Sequence, residues 1–315
     1  VQSVITIYVS KHLKLESTLF FLSLLTGSIA SIIVFFIIHR LDVSLLLLGF
    51  AIGDLAIGYL LGKKLYVKYA WYVIIQKILN LIICIGLYHV AGTDGIIYGF
   101  FISYLVFLPI IFKGFRESKI NLVLLKPRLG FIINNYIINL AGVFRNHLDK
   151  LIIGQVLGFS ILGNYALASQ MFLILMTFSN IVTKYTLPEY ASGNSNKKLQ
   201  KIIILISIIM TILGFTILPL IIPVFFPKFL GAIDLIKIMS FGIIASTVGQ
   251  IYSNKILSTE KSKHVVIGRW ISASVMMIGI VSLSSVFGAI GLAISFVSST
   301  TSYVVYLLII YFRMK

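Results

Sequence analysis

The sequence predicts an all-α polytopic membrane protein: ten transmembrane helices of a twelve-helix plan, arranged as two parallel six-helix lobes in pseudo-twofold relation. Three observations predict it. Of 315 residues 59% are hydrophobic and only 11% charged, with a mean hydropathy of +1.06, whereas an ordinary soluble domain carries about 25% charged residues. Apolar runs of the length that crosses a ~30 Å hydrocarbon core, about 20 residues each, recur along the whole chain. A glycine motif also repeats in two of these runs at a displacement of 196 residues.

The runs fall at 18–38, 43–62, 70–90, 95–112, 129–148, 163–187, 201–223, 235–257, 265–287 and 289–311. Each must be a helix, because hydrocarbon offers no partner to the backbone and a helix satisfies its polar groups internally. His39 and Arg40 close the first run, Lys63 and Lys64 the second, and Lys113 the fourth. Pro127 and Arg128 precede the fifth, and three glycines, Gly154, Gly158 and Gly163, separate it from the sixth. Pro219 and Pro223 remove two backbone donors from the seventh, so a kink is expected there. Residues 1–9 are too short to span alone. They read as the tail of a second helix, with the first two helices of a six-plus-six plan expected upstream of Val1. No signal peptide is recognisable, and the single Cys84, inside an apolar run, cannot form an intrachain disulfide.

The net charge of +17 lies in short islands between apolar runs. A nucleic-acid surface needs its basic residues gathered on one face, so no nucleic-acid partner is expected. Counting Lys and Arg on alternate sides of the spans puts twenty of the 26 on one side: in the loops at 11–14, 63–68, 113–128, 184–201 and 255–269, and at the C-terminus. The positive-inside rule makes that side cytoplasmic, in the cytoplasmic membrane, with both chain ends facing the cytoplasm.

The repeated motif is V-x-G-x-x-G-[IL]-x-x-[GS]-F. Val90, Gly92, Gly95, Ile96, Gly99 and Phe100 correspond to Val286, Gly288, Gly291, Leu292, Ser295 and Phe296. Six spans return a chain to the same side, which makes the repeats parallel. The expected organisation is residues 1–112 as the remainder of the N-terminal lobe, 113–128 as a cytoplasmic linker and 129–315 as the C-terminal lobe.

No catalytic residues are assigned: the nine carboxylates are scattered, and neither a Cys/His metal-ligand spacing nor a nucleophile elbow is present. The chemistry left to read is polar residues within spans, which are costly in lipid and so face a cavity or one another. Asn135, Asn139, Gly142, Asn146 and Asp149 form one stripe at spacings of four, three, four and three. Thr247, Gln250 and Asn254 share a face of a later helix, as do Gln170, Thr177 and Lys184 of another. These stripes either line a hydrophilic cavity between lobes or bond neighbouring helices together.

Asp54 and Lys77 lie at nearly equal depths from the same side, at 1.5 Å per residue. They form a structural pair, or Asp54 takes up a coupling cation, or Lys77 attracts an anionic substrate. Arg145 can pair with Asp149 four residues on, which leaves Lys150 uncompensated. With Lys237 on the same side, Lys150 either holds a diphosphate or snorkels to headgroups.

The run Asp149-Lys150-Leu151-Ile152-Ile153-Gly154, with Leu157-Gly158, Leu162-Gly163, Tyr165, Ala168 and Gln170 at their spacings, resembles the polysaccharide repeat-unit (O-antigen type, Wzx) flippases. These belong to the multidrug, oligosaccharidyl-lipid and polysaccharide exporter superfamily. The resemblance extends along the chain, with its ten spans similar to helices three to twelve of that fold. It implies a transporter, not an enzyme, that moves polyprenyl-diphosphate-linked oligosaccharide across the cytoplasmic membrane by rocking two lobes around a cationic cavity. The implied partners are that lipid-linked sugar, membrane lipids, and a polysaccharide polymerase or glycosyltransferases. No cofactor or metal is expected beyond a proton or sodium gradient. Cavity candidates are Lys77, Arg145, Lys150, Lys237, Asn135, Asn139, Gln170 and Gln250, and coupling-ion candidates are Asp54 and Asp149. The alternatives are a cation-coupled multidrug exporter of the same fold, a membrane-embedded glycosyltransferase or ligase, and a scaffold for assembly enzymes.

Overall fold

Thirteen α-helices and three short 3-10 turns make up the described chain in a computed structural model, which describes residues 2–194 and 197–314, the side chains of 143–148 excepted. The helices are α1 (Gln2–Ser10), α2 (Glu16–Ile38), α3 (Leu41–Gly62), α4 (Tyr66–Tyr104), α5 (Leu108–Glu117), α6 (Leu129–Val156) and α7 (Phe159–Thr183). They continue with α8 (Thr186–Ala191), α9 (Lys197–Thr216), α10 (Leu218–Phe225), α11 (Ala232–Ser258), α12 (Ser262–Phe287) and α13 (Ala289–Arg313). Eight helical segments of the described residues are long and apolar enough to cross a membrane, and one of these, Tyr66–Glu117, joins the expected spans 70–90 and 95–112. The protein is a multi-pass membrane protein. Two compact units divide the chain, residues 1–132 and 133–315.

In the first unit α1 is buried against α3, and small residues make the approach possible. Thr6 and Ser10 donate their hydroxyls to the carbonyls of Gly58 and Gly62 at 3.2 and 3.1 Å. A Cβ at Gly62 would stand 2.6 Å from that of Val9. Close backbone contact through glycine is the ordinary means of packing helices in lipid. Helix α2 docks on α3 through Ser31 and Ser44, whose hydroxyls lie 2.8 Å apart. At the turn between them Arg40 donates to Asp42 at 2.6 Å and also to Asp94, which follows the bend in α4. That ties the α2–α3 turn to the α4 bend.

The bend itself is Gly92, with φ 61 and ψ −140, and Gly288 joins α12 to α13 with φ 56 and ψ −133. The glycine repeat therefore marks one hairpin geometry used twice. Its second glycine is equally constrained: a Cβ at Gly95 would meet the Leu87 carbonyl oxygen at 2.1 Å, and one at Gly291 the Leu283 carbonyl oxygen at 2.2 Å. Leu87 and Leu283 are themselves one displacement apart.

In the second unit α11 is the central helix, packed on α7, α9 and α13. Its core includes Ile153, Tyr165, Phe172, Leu235, Met239, Ile243, Met276 and Leu292. Gly214 lets α9 approach: a Cβ there would lie 2.2 Å from the Ser240 hydroxyl. The expected kink in 201–223 is a break, α9 ending at Thr216 and α10 restarting with Pro219 in its first turn. Proline fits that position because its missing N–H falls among donors a helix start leaves unpaired anyway.

Candidate functional site: polar groups within the spans

Asp149, near the C-terminal end of α6, is buried to 8% exposure. Its Oδ2 accepts a hydrogen bond of 2.7 Å from the hydroxyl of Tyr165 on α7, which is itself fully buried. Its Oδ1 lies 2.7 Å from the backbone N–H of Lys150. Both carboxylate oxygens thus have donors, and the buried charge is stabilised without a cation in direct contact among the described groups. Lys150 is half-buried beside it. Arg145, expected to pair with Asp149, and Asn146 of the same stripe have side chains outside the described residues. At the other end of the stripe on α6 Asn135 is buried and Asn139 exposed, so the stripe does not present one continuous exposed face.

The polar face of α11 meets α7 and α8. Thr247 reaches Met176, Gln250 donates to the Asn180 side-chain oxygen at 2.7 Å, and Asn254 donates to Thr186 Oγ1 at 2.9 Å and the Thr183 carbonyl at 3.3 Å. These bonds clamp the two helices along a line. The other expected stripe on α7, Gln170, Thr177 and Lys184, is exposed. Lys237, in the first turns of α11, faces Asp234 at 3.9 Å with both side chains partly in the open.

In the first unit Asp54 is exposed on α3, directly after Gly53, where the ring of Tyr104 comes within 2.7 Å of the position a Cβ would take. Lys77 is exposed on α4 among Ile74, Ile78 and Leu81, which are exposed too. Ion pairs of this unit include Arg40 with Asp42 and Asp94, and Lys63 with Glu117 at 2.6 Å. Among the described residues no three His, Cys, Asp or Glu side chains converge as a metal site would require.

Sequence reasoning missed Arg269 and its ring partner Tyr303. Arg269, counted among the loop charges, lies two turns inside α12 with its guanidinium 4.6 Å from the ring centroid of Tyr303 on α13. Gly249 and Gly268 admit that ring, since a Cβ at either would stand 3.0 Å from it. The signal was in the chain: Arg269 falls inside the 265–287 run and directly follows a glycine.

The comparisons with known proteins follow this geometry. The family model described as polysaccharide biosynthesis protein matches residues 3–228. No curated protein matches the sequence significantly. Among solved structures the chain is similar to a MATE protein in the bent conformation, with TM-score 0.80 and 14% identity over 99% of this chain and 81% of that one. It is similar to the Vibrio cholerae MATE transporter VcmN in the bent form, with TM-score 0.77 and 11% identity over 99% and 82% of the two chains. A MOP superfamily transporter from Pyrococcus furiosus, whose binding pocket is described as reversed in polarity, matches with TM-score 0.72 and 16% identity over 99% and 82%. At these identities the likeness is one of fold, while the family match covers well over half the sequence. The chain therefore has the fold of the MATE transporters and belongs to the polysaccharide biosynthesis protein family.

Proposed function

We propose that the protein is a flippase that moves polyprenyl-diphosphate-linked oligosaccharide repeat units across the cytoplasmic membrane by alternating access, for synthesis of a cell-surface polysaccharide. Residues 1–112 and 129–315 act as its two lobes, 113–128 connects them, and the C-terminus faces the cytoplasm. The observation that carries this reading is the exposure, within apolar spans of both units, of Asp54, Asn139 and Gln170 in a chain of a polysaccharide biosynthesis family. Polar groups in a span are stable when they face water, which a transport cavity supplies.

The chemistry of the cargo suits such a cavity. A diphosphate and sugars cannot cross hydrocarbon unaided, while an isoprenoid tail can remain in it. Lys77, Arg145, Lys150 and Lys237 supply cations for the diphosphate, and Asn135, Asn139, Gln170 and Gln250 supply amides for sugar hydroxyls. Asp54 or Asp149 takes up the coupling proton or sodium ion. Rocking then requires that cargo bind the inward and outward states with different affinity.

Full-length protein reconstituted in liposomes with a fluorescent lipid-linked oligosaccharide tests the proposal. Protection of the inner-leaflet fluorophore from a membrane-impermeant reductant should decay faster than in protein-free liposomes and respond to an imposed proton or sodium gradient. No acceleration by folded protein would overturn it, and sugar transfer in detergent without leaflet crossing would point to a glycosyltransferase. The exposed Asp54 favours a second reading, export of organic cations, which efflux of cationic dyes would reveal.

A further inference from the structure

In the second unit, between α7, α11, α12 and α13, lies a partly open pocket of about 150 Å³. Asn180, Ser246, Gln250, Arg269, Thr300 and Tyr303 supply its polar lining. An apolar void of this size stays empty of water. A void lined by these groups cannot, because each buried donor or acceptor without a partner costs about 1–3 kcal/mol.

Two donors here are unmet. The hydroxyl of Tyr303, a residue only 4% exposed, and the Nε of Arg269 are buried with no hydrogen-bond partner. Arg269 is a guanidinium cation, and among the described residues it has no carboxylate partner. The Tyr303 ring face stabilises that charge by about 0.5–2 kcal/mol, while the buried Nε–H is left without an acceptor. Neighbouring groups add further hydrogens: Gln250 spends one amide hydrogen on Asn180 Oδ1, so its second and both hydrogens of the Asn180 amide remain. Thr300 has turned its own hydroxyl hydrogen to the Val297 carbonyl. The lining is therefore rich in donors, centred on one cation, and contains no carboxylate.

We propose that this cavity binds a single small inorganic anion, of chloride to phosphate size, held by the Arg269 guanidinium and the Tyr303 hydroxyl. Space for on the order of five water volumes admits such an ion with a few waters. Both donors, Arg269 on α12 and Tyr303 on α13, belong to the second unit, so the anion is assigned to that helix bundle, apart from the cargo. It completes the contact of α12 and α13 with α7 and α11, and its presence stabilises the unit whatever the transporter carries.

The test measures thermal unfolding of the full-length protein in detergent as sodium gluconate is replaced by sodium chloride or sodium phosphate at constant ionic strength. The unfolding midpoint should rise and saturate with at least one of the two anions, and which one does so distinguishes halide from oxyanion. Tyr303→Phe keeps the ring against Arg269 and removes one donor, so it should weaken the apparent anion affinity several-fold. Arg269→Gln should weaken it by more than about tenfold, the loss of a charge-assisted bond. Tyr303→Phe keeps the test decisive should Arg269→Gln fail to fold. A midpoint indifferent to both anions, or an anion response unchanged in Tyr303→Phe, would overturn the proposal. Because the readout is stability, a failure of lipid flipping leaves it untouched.

Discussion

Tyr165 donates its phenolic hydrogen to Asp149 across the α6–α7 junction at 2.7 Å, and both residues are buried. The bond joins two members of the same sequence signature, and a buried carboxylate that loses a donor has no water to replace it. Tyr165→Phe should therefore destabilise the protein by about 1.5–3 kcal/mol, the value of a hydrogen bond to a charged group. Asp149→Asn should cost less, because an amide oxygen still accepts from the phenol. Thermal unfolding in detergent compares the two, and equal stability of Tyr165→Phe and the parent would remove the bond from the account.

The paired hairpins make a second prediction. Gly92 and Gly288 both adopt a backbone with positive φ and strongly negative ψ, a region that glycine enters at no steric cost and other residues enter with strain. Replacing either with alanine should cost about 1–3 kcal/mol, although both have open space where a Cβ would stand. Gly95→Ala and Gly291→Ala should be worse, since there the new methyl meets a backbone carbonyl. The yield of monodisperse protein after membrane extraction ranks the four, and a ranking with Gly95→Ala above Gly92→Ala would contradict the geometry.

Neutralising the cations addresses transport. Lys77→Gln, Lys150→Gln and Lys237→Gln, each at normal membrane abundance, should reduce export of lipid-linked sugar in cells. The size should follow the surroundings: largest at half-buried Lys150, smaller at Lys237, where Asp234 already stands 3.9 Å away. Normal export by all three variants would remove the cationic-cavity assignment.

How much of this was legible beforehand depended on dimension. Burial in lipid acts along the chain, so apolar length located α2, α3, the first arm of α4, α7, α11, α12 and α13 within a few residues, while α6 runs eight residues past the expected 148 and the 201–223 run breaks after Thr216. The glycine repeat was legible for the same kind of reason: a positive-φ bend tolerates little else, so the residue records the conformation. Angular position was not legible. Asp54 and Lys77 share a depth, yet depth says nothing of which way each points, and Lys77 lies on a face with exposed Ile74, Ile78 and Leu81. The Thr247, Gln250 and Asn254 face was read correctly as a face, but only the packing shows that it meets Asn180, Thr183 and Thr186. Arg269 was lost because charge counting assigns a basic residue near a span end to the loop, whatever side of the helix it occupies.

The link from Arg40 to Asp42 and Asp94 has a consequence for how the first unit breathes. Because one guanidinium holds the α2–α3 turn and the α4 bend together, fraying at either place must release the other. Backbone amides around 39–44 and 93–97 should then exchange with deuterium as one cooperative group at low salt. Screening shortens to about 3 Å in molar salt, and the two stretches should separate into independent rates, so that ionic strength selects whether this end of the molecule opens as one latch or as two.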